Sequence, residues 1–352
     1  MKKLTEEAIN LLKKLIETPS FSSEEEQTAT HIEQWLLQYN IPFQRNNNNV
    51  WATNATFDKT KPTLLLNSHH DTVKPNNGYT KNPFKAIVED GKLYGLGSND
   101  AGGCLVSLLA TFIHFYPQKN LHYNLVLVAS AEEENSGKNG LNSMLSIIPK
   151  IDVAIVGEPT LMNLAIAEKG LVVFDAIVKG TPSHAAHPNT DNAIYNSINV
   201  LNWFQNFRFE KVSDVLGRVK MTVSQISAGK QHNAIPAEVK LVIDVRVNDK
   251  YTNIEITDFL VRESPCTQIT PRSLRLNSSS ISKEHPLVQA GIDLGRETYG
   301  SPTLSDQSVL SCQSLKLGPG DSTRSHTADE FIYLDEIKEG IEIYISLLNK
   351  VL

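Results

Sequence analysis

The chain of 352 residues is longer than one hydrophobic core usually supports, so we expect two domains. Hydrophobic residues make up 40% of the sequence and charged residues 20%, which excludes a chain dominated by disorder. The net charge of -6 argues against a nucleic-acid-binding surface, which needs clustered Lys and Arg to neutralise phosphates.

The cysteines and the apolar segments indicate a cytoplasmic protein. Cys104, Cys266 and Cys312 lie far apart and lack a paired spacing, as is typical of reduced thiols. Charged residues interrupt the N-terminal segment "MKKLTEEAINLLKKLIE", so we expect no export signal. No run of about 18 apolar residues occurs, so we expect no membrane span and no membrane partner.

The first 40 residues have helical periodicity. Apolar residues recur at helical spacing up to Pro19, which ends the first predicted helix. Ser23, with Glu26 three positions later, predicts a capping box at the start of a second helix.

The next part of the chain alternates between short apolar runs and longer amphipathic ones. The segments "TLLLNS", "NLVLVAS" and "VAIVGEP" are typical of buried strands, and "AGGCLVSLLATFIHFY" is typical of a helix between them. Strands that are apolar on both faces indicate a sheet covered on both sides. We therefore predict an α/β fold, with a mixed, largely parallel sheet sandwiched by helices.

Beyond about residue 167 the pattern changes to the alternation of half-exposed antiparallel strands. The segments "LVVFDAIVKG", "VKMTVSQISAG" and "EVKLVIDVRV" predict strands, with helices near 191–206 and 252–263. The order of these elements is that of a split βαβ, or ferredoxin-like, α+β domain. We predict that this domain occupies residues 168–280 and is inserted into a first domain formed by residues 1–167 and 281–352.

The predicted first domain contains five polar clusters, four of which follow apolar strands or a strand-like turn: "SHHDTV", "YGLGSNDAGG", "SAEEENSG", "IVGEPT" and, near the C-terminus, "GPGDSTRSH". Ligands of open α/β sheets bind outside the carboxyl ends of the strands, so these clusters can converge. Taken singly, each cluster fits a surface loop or turn. Together, their His nitrogens and carboxylate oxygens suit zinc, and one carboxylate can bridge two ions about 3.5–4 Å apart.

As an ordered set along nearly the whole chain, the clusters resemble the M20-type zinc deacylases and exopeptidases, especially acetylornithine deacetylase and succinyl-diaminopimelate desuccinylase. The resemblance implies a zinc exopeptidase-like fold and two Zn2+ per chain, for which Co2+ or Mn2+ can substitute. It implies that Asp71 orients the first metal histidine and that the peptide bond from Asp100 to Ala101 is cis. The implied metal ligands are His69, Asp100, Glu134, Glu158 and His326, with Asp100 bridging both ions.

The triplet Glu132-Glu133-Glu134 allows two registers against the Asp-Glu-Glu that is usual in the family. In the first register Glu133 is the catalytic base and Glu134 is the metal ligand. A slip of one residue would make Glu132 the base and Glu133 the ligand. The following Gly137 and Gly140 favour the first register.

The resemblance also assigns roles to the inserted domain. His184 matches a histidine that donates a hydrogen bond to the oxyanion, commonly in the active site of the partner subunit, so we expect a homodimer formed through this domain. Asn233 and Arg246 match substrate contacts. An Arg can hold a carboxylate in a two-pronged contact, although a surface charge at a strand end explains Arg246 equally well.

The implied activity is metal-dependent hydrolysis of the amide bond of an N-acyl amino acid, in which a water held by the metals gives its proton to Glu133. We expect an acetylornithine deacetylase of arginine biosynthesis. Alternatives are deacylases of N-acetyl- or N-succinylcitrulline or of succinyl-diaminopimelate, a di- or tripeptidase, and a binding module without activity. Leu96 and Ala101-Gly102 stand where many relatives carry Arg and Met-Lys, which indicates a divergent branch.

Overall fold

The computed structural model describes residues 2–352, within which the chain forms eight α-helices and eighteen β-strands. The helices are α1 Lys2–Ile16, α2 Glu26–Gln38, α3 Gly103–Phe115, α4 Leu141–Met144, α5 Ala193–Asn206, α6 Asn253–Glu263, α7 Pro286–Asp293 and α8 Leu334–Leu348. The first nine strands are β1 Gln44–Asn46, β2 Asn49–Thr53, β3 Thr63–His69, β4 Ile87–Glu89, β5 Lys92–Tyr94, β6 Asn124–Ser130, β7 Val153–Val156, β8 Leu164–Glu168 and β9 Gly170–Lys179. The other nine are β10 Ser183–His184, β11 Lys220–Ala228, β12 Ala234–Ile235, β13 Glu238–Val247, β14 Gln268–Pro271, β15 Ser279–Ser280, β16 Thr298–Ser301, β17 Gln313–Lys316 and β18 Phe331–Tyr333.

The chain divides into two units. The first contains residues 2–166, 280–299 and 305–352, and the second contains Ala167–Ser279 and Gly300–Leu304. The segment Gly300–Leu304 belongs to the second unit, whereas the predicted boundaries place it in the first domain. Ala167 and Ser280 each lie one residue across the predicted boundaries.

The first unit is built on a sheet with the strand order β1-β2-β6-β3-β7-β17-β8-β15. Strand β3 is parallel to β6 and β7, and β17 is parallel to β7, whereas β1, β2 and β8 add antiparallel pairs. The predicted mixed, largely parallel sheet is therefore confirmed.

Strand β3 has a continuous apolar run because both of its faces are covered. Leu64 and Leu66 pack in the cluster that contains α1, α2, α3 and α8, whereas Leu65 packs in a second cluster with Met144 of α4. Successive side chains of a strand point to opposite faces, so helices cover both sides of the sheet. Burial of each leucine stabilises the fold by roughly 1.5–3 kcal/mol.

The second unit contains an antiparallel sheet with the strand order β11-β13-β9-β14. With α5 between β9 and β11, and α6 between β13 and β14, this is the ferredoxin-like arrangement that the sequence predicts. Strands β9 and β13 alternate buried and more exposed side chains, because one face packs on the hydrophobic core.

The predicted capping box of α2 is wrong. The helix begins at Glu26, and Glu25 at its N-cap makes no side-chain capping bond. Ser23 instead has a φ of 75° and donates its hydroxyl to the Glu132 carboxylate at 2.9 Å. A carboxylate that is distant in sequence thus takes the hydroxyl that would have capped the helix.

The helices of residues 2–352 include none with the length and apolar character needed to cross a membrane. The parallel strands β3, β6 and β7 end at His69, Ser130 and Val156, along one edge of the sheet. The polar clusters that follow these strands therefore emerge next to each other.

Candidate active site

His69 is the last residue of β3, and its side chain is buried. Its Nδ1 lies 3.0 Å from the Asp71 carbonyl oxygen and 3.4 Å from Asp71 Oδ1. Because a carbonyl only accepts, Nδ1 carries the proton in a neutral ring, and Nε2 is left with a lone pair. That Nε2 faces Asp100, Glu158 and Glu133 at 3.5, 3.8 and 3.9 Å.

His69 Nε2 is buried and has no hydrogen-bond partner among residues 2–352. Buried polar atoms in proteins are nearly always paired, so an unpartnered ring nitrogen that faces several carboxylates needs an explanation. A cation between the nitrogen and the carboxylate oxygens would satisfy all of these groups at once.

His326 approaches the same carboxylates from the C-terminal part of the chain. Its Nε2 lies 2.9 Å from Glu134 Oε2 and 3.5 Å from Asp100 Oδ2. Asp100 thus turns Oδ1 towards His69 and Oδ2 towards His326. A carboxylate placed in this way suits a bridge between two cations.

Two overlapping groups of side chains bring their ligand atoms within 4.8 Å of one another. One group is His69, Asp100 and Glu134, and the other is His69, Glu133 and Glu158. Imidazole nitrogen and carboxylate oxygen are the donors that zinc and similar divalent ions take, so these residues fit a metal centre.

Burial and mutual repulsion perturb these groups in the metal-free protein. Burial raises the pKa of Glu158 to about 8. Burial also raises the pKa of Glu133 well above its usual range, and the charge of Glu158 adds to this increase. The hydrogen bond to Glu134 raises the pKa of His326 to about 9. A cluster with more carboxylates than histidines holds protons that divalent cations would displace.

Glu132 points away from the cluster. Its carboxylate accepts hydrogen bonds from the Ser23 hydroxyl at 2.9 Å and the Asn139 backbone N–H at 3.1 Å. Of the triplet, the carboxylates that reach the two histidines are therefore those of Glu133 and Glu134.

Asp71 contacts more than the histidine that it was expected to orient. Its Oδ1 accepts the backbone N–H of Glu133 at 3.0 Å, and its Oδ2 accepts that of Glu134 at 3.1 Å. The Ser22 hydroxyl donates to Oδ2 at 2.7 Å. Asp71 therefore fixes both the ring of His69 and the backbone of the acidic triplet.

Asp100 lies in a tight turn, Ser98–Gly102, directly before α3. The peptide bond between Asp100 and Ala101 is cis, as the resemblance implies. Gly102 leaves no space for a side chain, since an added Cβ would lie 2.4 Å from the Gly97 carbonyl oxygen. The close packing of this turn explains why a glycine follows Ala101 in this chain.

His70 serves the fold and faces away from His69. Its ring lies between the Thr28 hydroxyl at 2.9 Å and the Asn48 carbonyl oxygen at 3.0 Å. Burial lowers the pKa of His70 to about 4, so the ring is neutral and donates to the carbonyl oxygen from Nε2.

Two further carboxylates near the site, those of Asp306 and Glu330, are buried. Asp306 accepts the Ser130 hydroxyl at 2.6 Å, and burial raises its pKa to about 6. Glu330 accepts backbone N–H bonds from the turn that carries Asp100. Asp306 lies in "TLSDQSVL", a segment whose resemblance to the family implies a position on the substrate side of the site. Glu330 is a single acidic residue in a polar loop, and no local sequence pattern indicates its position.

The inserted-domain residues His184, Asn233 and Arg246 all lie in the second unit. Strands β10 and β12 form a ribbon in which Ala185 N–H donates to the Asn233 carbonyl at 3.0 Å, so His184 and Asn233 are neighbours. Arg246 lies near the far end of β13 and binds Asp244 through Nε at 2.9 Å and Nη2 at 3.1 Å.

Comparison with known proteins gives relatives over most of the chain. This chain is 29% identical over 265 residues to a succinyl-diaminopimelate desuccinylase of Rickettsia felis. The aligned region covers 69% of this chain and 70% of that protein. This chain is also 24% identical over 381 residues to a protein of the same name from Rickettsia rickettsii. That alignment covers 98% of this chain and 100% of the relative.

Solved structures share the fold at low identity. A tripeptidase of Staphylococcus aureus has a TM-score of 0.78 at 19% identity, covering 99% of this chain and 98% of its own. An M20 family metallo-carboxypeptidase of Sulfolobus solfataricus has a TM-score of 0.77 at 15% identity, covering 98% and 99%. A dinuclear metal-binding peptidase of Bacillus subtilis has a TM-score of 0.76 at 15% identity, covering 99% and 98%.

These likenesses confirm the M20 resemblance that the ordered polar clusters indicate. Residues 65–350 match the family described as peptidase family M20/M25/M40, a span that includes every metal ligand implied by the sequence. The chain therefore belongs to peptidase family M20/M25/M40 and is a metal-dependent hydrolase.

Proposed function

We propose that this chain hydrolyses the amide bond of an N-acyl amino acid with the help of two divalent metal ions, zinc in the first instance. The observation that carries the proposal is the buried, unpartnered Nε2 of His69, which faces the carboxylates of Asp100, Glu133 and Glu158. Metal analysis of the purified protein tests it, with two ions per chain as the expected result.

The donor atoms suggest how the ions are shared. His69 and Glu158 would hold one ion, Glu134 and His326 would hold the other, and Asp100 would contact both. The hydrogen bond from His69 Nδ1 to Asp71 keeps the lone pair on Nε2, which is the tautomer that a metal ligand requires.

The metal ions and Glu133 would have different roles in the reaction. When bound, the two ions would polarise the scissile carbonyl and lower the pKa of the attacking water. Glu133 takes the proton from that water and passes it to the leaving amine nitrogen. The orientation of Glu132 towards Ser23 and Asn139 supports Glu133, and not Glu132, as this base.

His184 would donate a hydrogen bond to the oxyanion, and Asn233 and Arg246 would contact the substrate. Residues 238–245 of β13 lie between Asn233 and Arg246 and span roughly 26 Å of extended chain. One small substrate cannot contact both residues of the same chain. If both contact one substrate, one of them must come from a second subunit, so these two proposed contacts require the proposed homodimer.

The surface of the second unit also favours self-association. Tyr195 and Ile198 on α5 are 69% and 53% exposed, and Ile226 on the edge strand β11 is 57% exposed. Apolar side chains grouped on a helix and an unpaired strand edge are typical of an interface. Sedimentation of the full chain, compared with a Tyr195→Lys, Ile198→Lys variant, tests this proposal.

N-Acetylornithine, an intermediate of arginine biosynthesis, is our first candidate substrate. The names of the curated relatives favour succinyl-diaminopimelate as a second candidate, and N-acetyl- and N-succinylcitrulline are further candidates. The solved structures named as peptidases favour a di- or tripeptide. Rates on a panel of these compounds at equal concentration discriminate between them, and hydrolysis of Gly-Gly without hydrolysis of any N-acyl amino acid would reject the deacylase proposal.

A further inference from the structure

Glu330 lies four residues after His326, and its side chain is buried, with 2% of the residue exposed. Its Oε1 accepts the backbone N–H groups of Asn99 at 2.8 Å and Asp100 at 2.9 Å. Its Oε2 accepts the backbone N–H of Gly97 at 3.1 Å. One carboxylate therefore ties together consecutive parts of the turn that presents Asp100.

The position of Glu330 is electrostatically unfavourable in the metal-free protein. Its carboxylate is buried close to the charge of Asp100, and the three backbone N–H bonds offset part of that cost. A buried carboxylate beside a second carboxylate is costly unless specific donors or a cation compensate. Such a residue is better explained by what it holds in place than by the stability it adds.

We propose that Glu330 is a positioning residue that holds the Asp100 turn in the conformation needed to share Asp100 between two metal ions. The inference rests on the metal-binding role proposed above for Asp100. One of the three backbone N–H groups that donate to Glu330 is that of Asp100 itself. The two carboxylate oxygens of Asp100 lie 3.5 Å from the histidines, Oδ1 from His69 Nε2 and Oδ2 from His326 Nε2.

The segment that carries Glu330 also provides a second link to the same turn. The Glu330 carbonyl accepts the backbone N–H of Gly95 at 3.0 Å, so main chain and side chain both hold residues 95–100. His326 lies in the same short segment. The segment 326–330 thus carries one candidate metal ligand, His326, and holds the backbone of the turn that carries another, Asp100.

Asp329 offers a matched control. It is adjacent to Glu330 and also accepts backbone N–H bonds, from Thr80 at 2.9 Å and Lys81 at 2.8 Å. These bonds fix a different loop from the one that carries Asp100. Asp329→Asn and Glu330→Gln each keep one acceptor oxygen, so the two variants remove comparable groups from the two loops.

The test measures metal binding by the full-length protein. Wild type, Glu330→Gln, Glu330→Ala, Asp329→Asn and Asp329→Ala are stripped of metal and titrated with Co2+, and stoichiometry, affinity and the visible Co2+ spectrum are recorded. We expect both Glu330 variants to bind at least one ion about 10- to 100-fold more weakly, with an altered spectrum. The Asp329 variants should keep wild-type affinity and spectrum even if their melting temperature falls.

Glu330→Gln keeps the test decisive if Glu330→Ala does not fold, because it retains the shape of the side chain and one acceptor. Wild-type affinity and spectrum in Glu330→Gln, together with two ions in the wild type, would overturn the positioning role and leave the proposed function standing. A wild-type protein that binds no Co2+ would overturn the proposed metal-dependent function and this inference with it.

Discussion

Asp71 accepts the backbone N–H of Glu133 at 3.0 Å with the same oxygen, Oδ1, that lies 3.4 Å from His69 Nδ1. The proposed metal ligand and the proposed base are thus held by one carboxylate. Any change at Asp71 should disturb metal binding and proton transfer together.

We expect Asp71→Ala to weaken metal binding about 10- to 100-fold and to lower kcat even when metal is saturating, because the Glu133 backbone loses its acceptor. Metal titration followed by kinetics at high metal concentration separates the two effects. Ser22→Ala is the control, since it removes only the hydroxyl that donates to Asp71 at 2.7 Å. Full recovery of kcat by added metal would contradict the second role of Asp71.

Replacing Glu133 by Gln should keep both metal ions and lower kcat by about 100- to 10,000-fold, because only the proton carrier is lost. Glu132→Gln should remain active, since the Glu132 carboxylate binds Ser23 and Asn139, and it should lose roughly 1–3 kcal/mol of unfolding free energy. Kinetics and chemical denaturation of both variants measure these effects. An inactive Glu132→Gln beside an active Glu133→Gln would establish the other register of the triplet.

His184→Ala should lower kcat by about 100- to 1,000-fold without loss of metal, as expected when an oxyanion donor is removed. If the partner subunit supplies His184, mixing this inactive variant with inactive Glu133→Gln should restore activity, because half of the mixed dimer's sites are complete. Random pairing predicts about a quarter of the wild-type activity. A stable mixed dimer that stays inactive would show that His184 does not act across subunits.

The stability of helix α7 should depend on pH through its N-cap. His285 Nδ1 accepts the Leu287 N–H at 3.2 Å, and burial lowers the pKa of His285. Below its ordinary pKa of about 6.5 the unfolded chain therefore binds more protons at His285 than the folded chain does, and stability falls as pH falls through that range.

His285→Asn keeps a capping oxygen that does not titrate in this range, so it should lose less stability between about pH 7 and about pH 5 than the wild type. Urea denaturation of the metal-free proteins at both pH values measures the difference. His285→Ala should cost roughly 1 kcal/mol at neutral pH because the cap is lost. Equal losses in wild type and His285→Asn would exclude this cap as a source of acid sensitivity.

Local patterns were sufficient for most of the architecture. Strand β13, Glu238–Val247, matches the predicted segment "EVKLVIDVRV". Only one face of the sheet is covered, so apolar and polar residues alternate along the strand and make it recognisable in the sequence. Strand β3 was recognisable for the opposite reason, since both of its faces are covered and every side chain is buried. His69 and His326 follow β3 and β17, which belong to the set of parallel strands, so their proximity agrees with motifs at a common sheet edge. Asp100 follows β5 in a separate antiparallel sheet, and it was the family resemblance that grouped it with the two histidines.

The tertiary structure decided which atoms meet. Ser23 had the spacing of a helix cap, yet its hydroxyl bonds to Glu132, which no local pattern could indicate. Glu330 has no recognisable spacing, because its partners are the backbone N–H groups of Gly97, Asn99 and Asp100, which every residue type except proline supplies. Periodicity reports which face of an element is covered. Hydrogen bonds between remote segments depend on how the chain returns to the same place, and that is a property of the folded molecule.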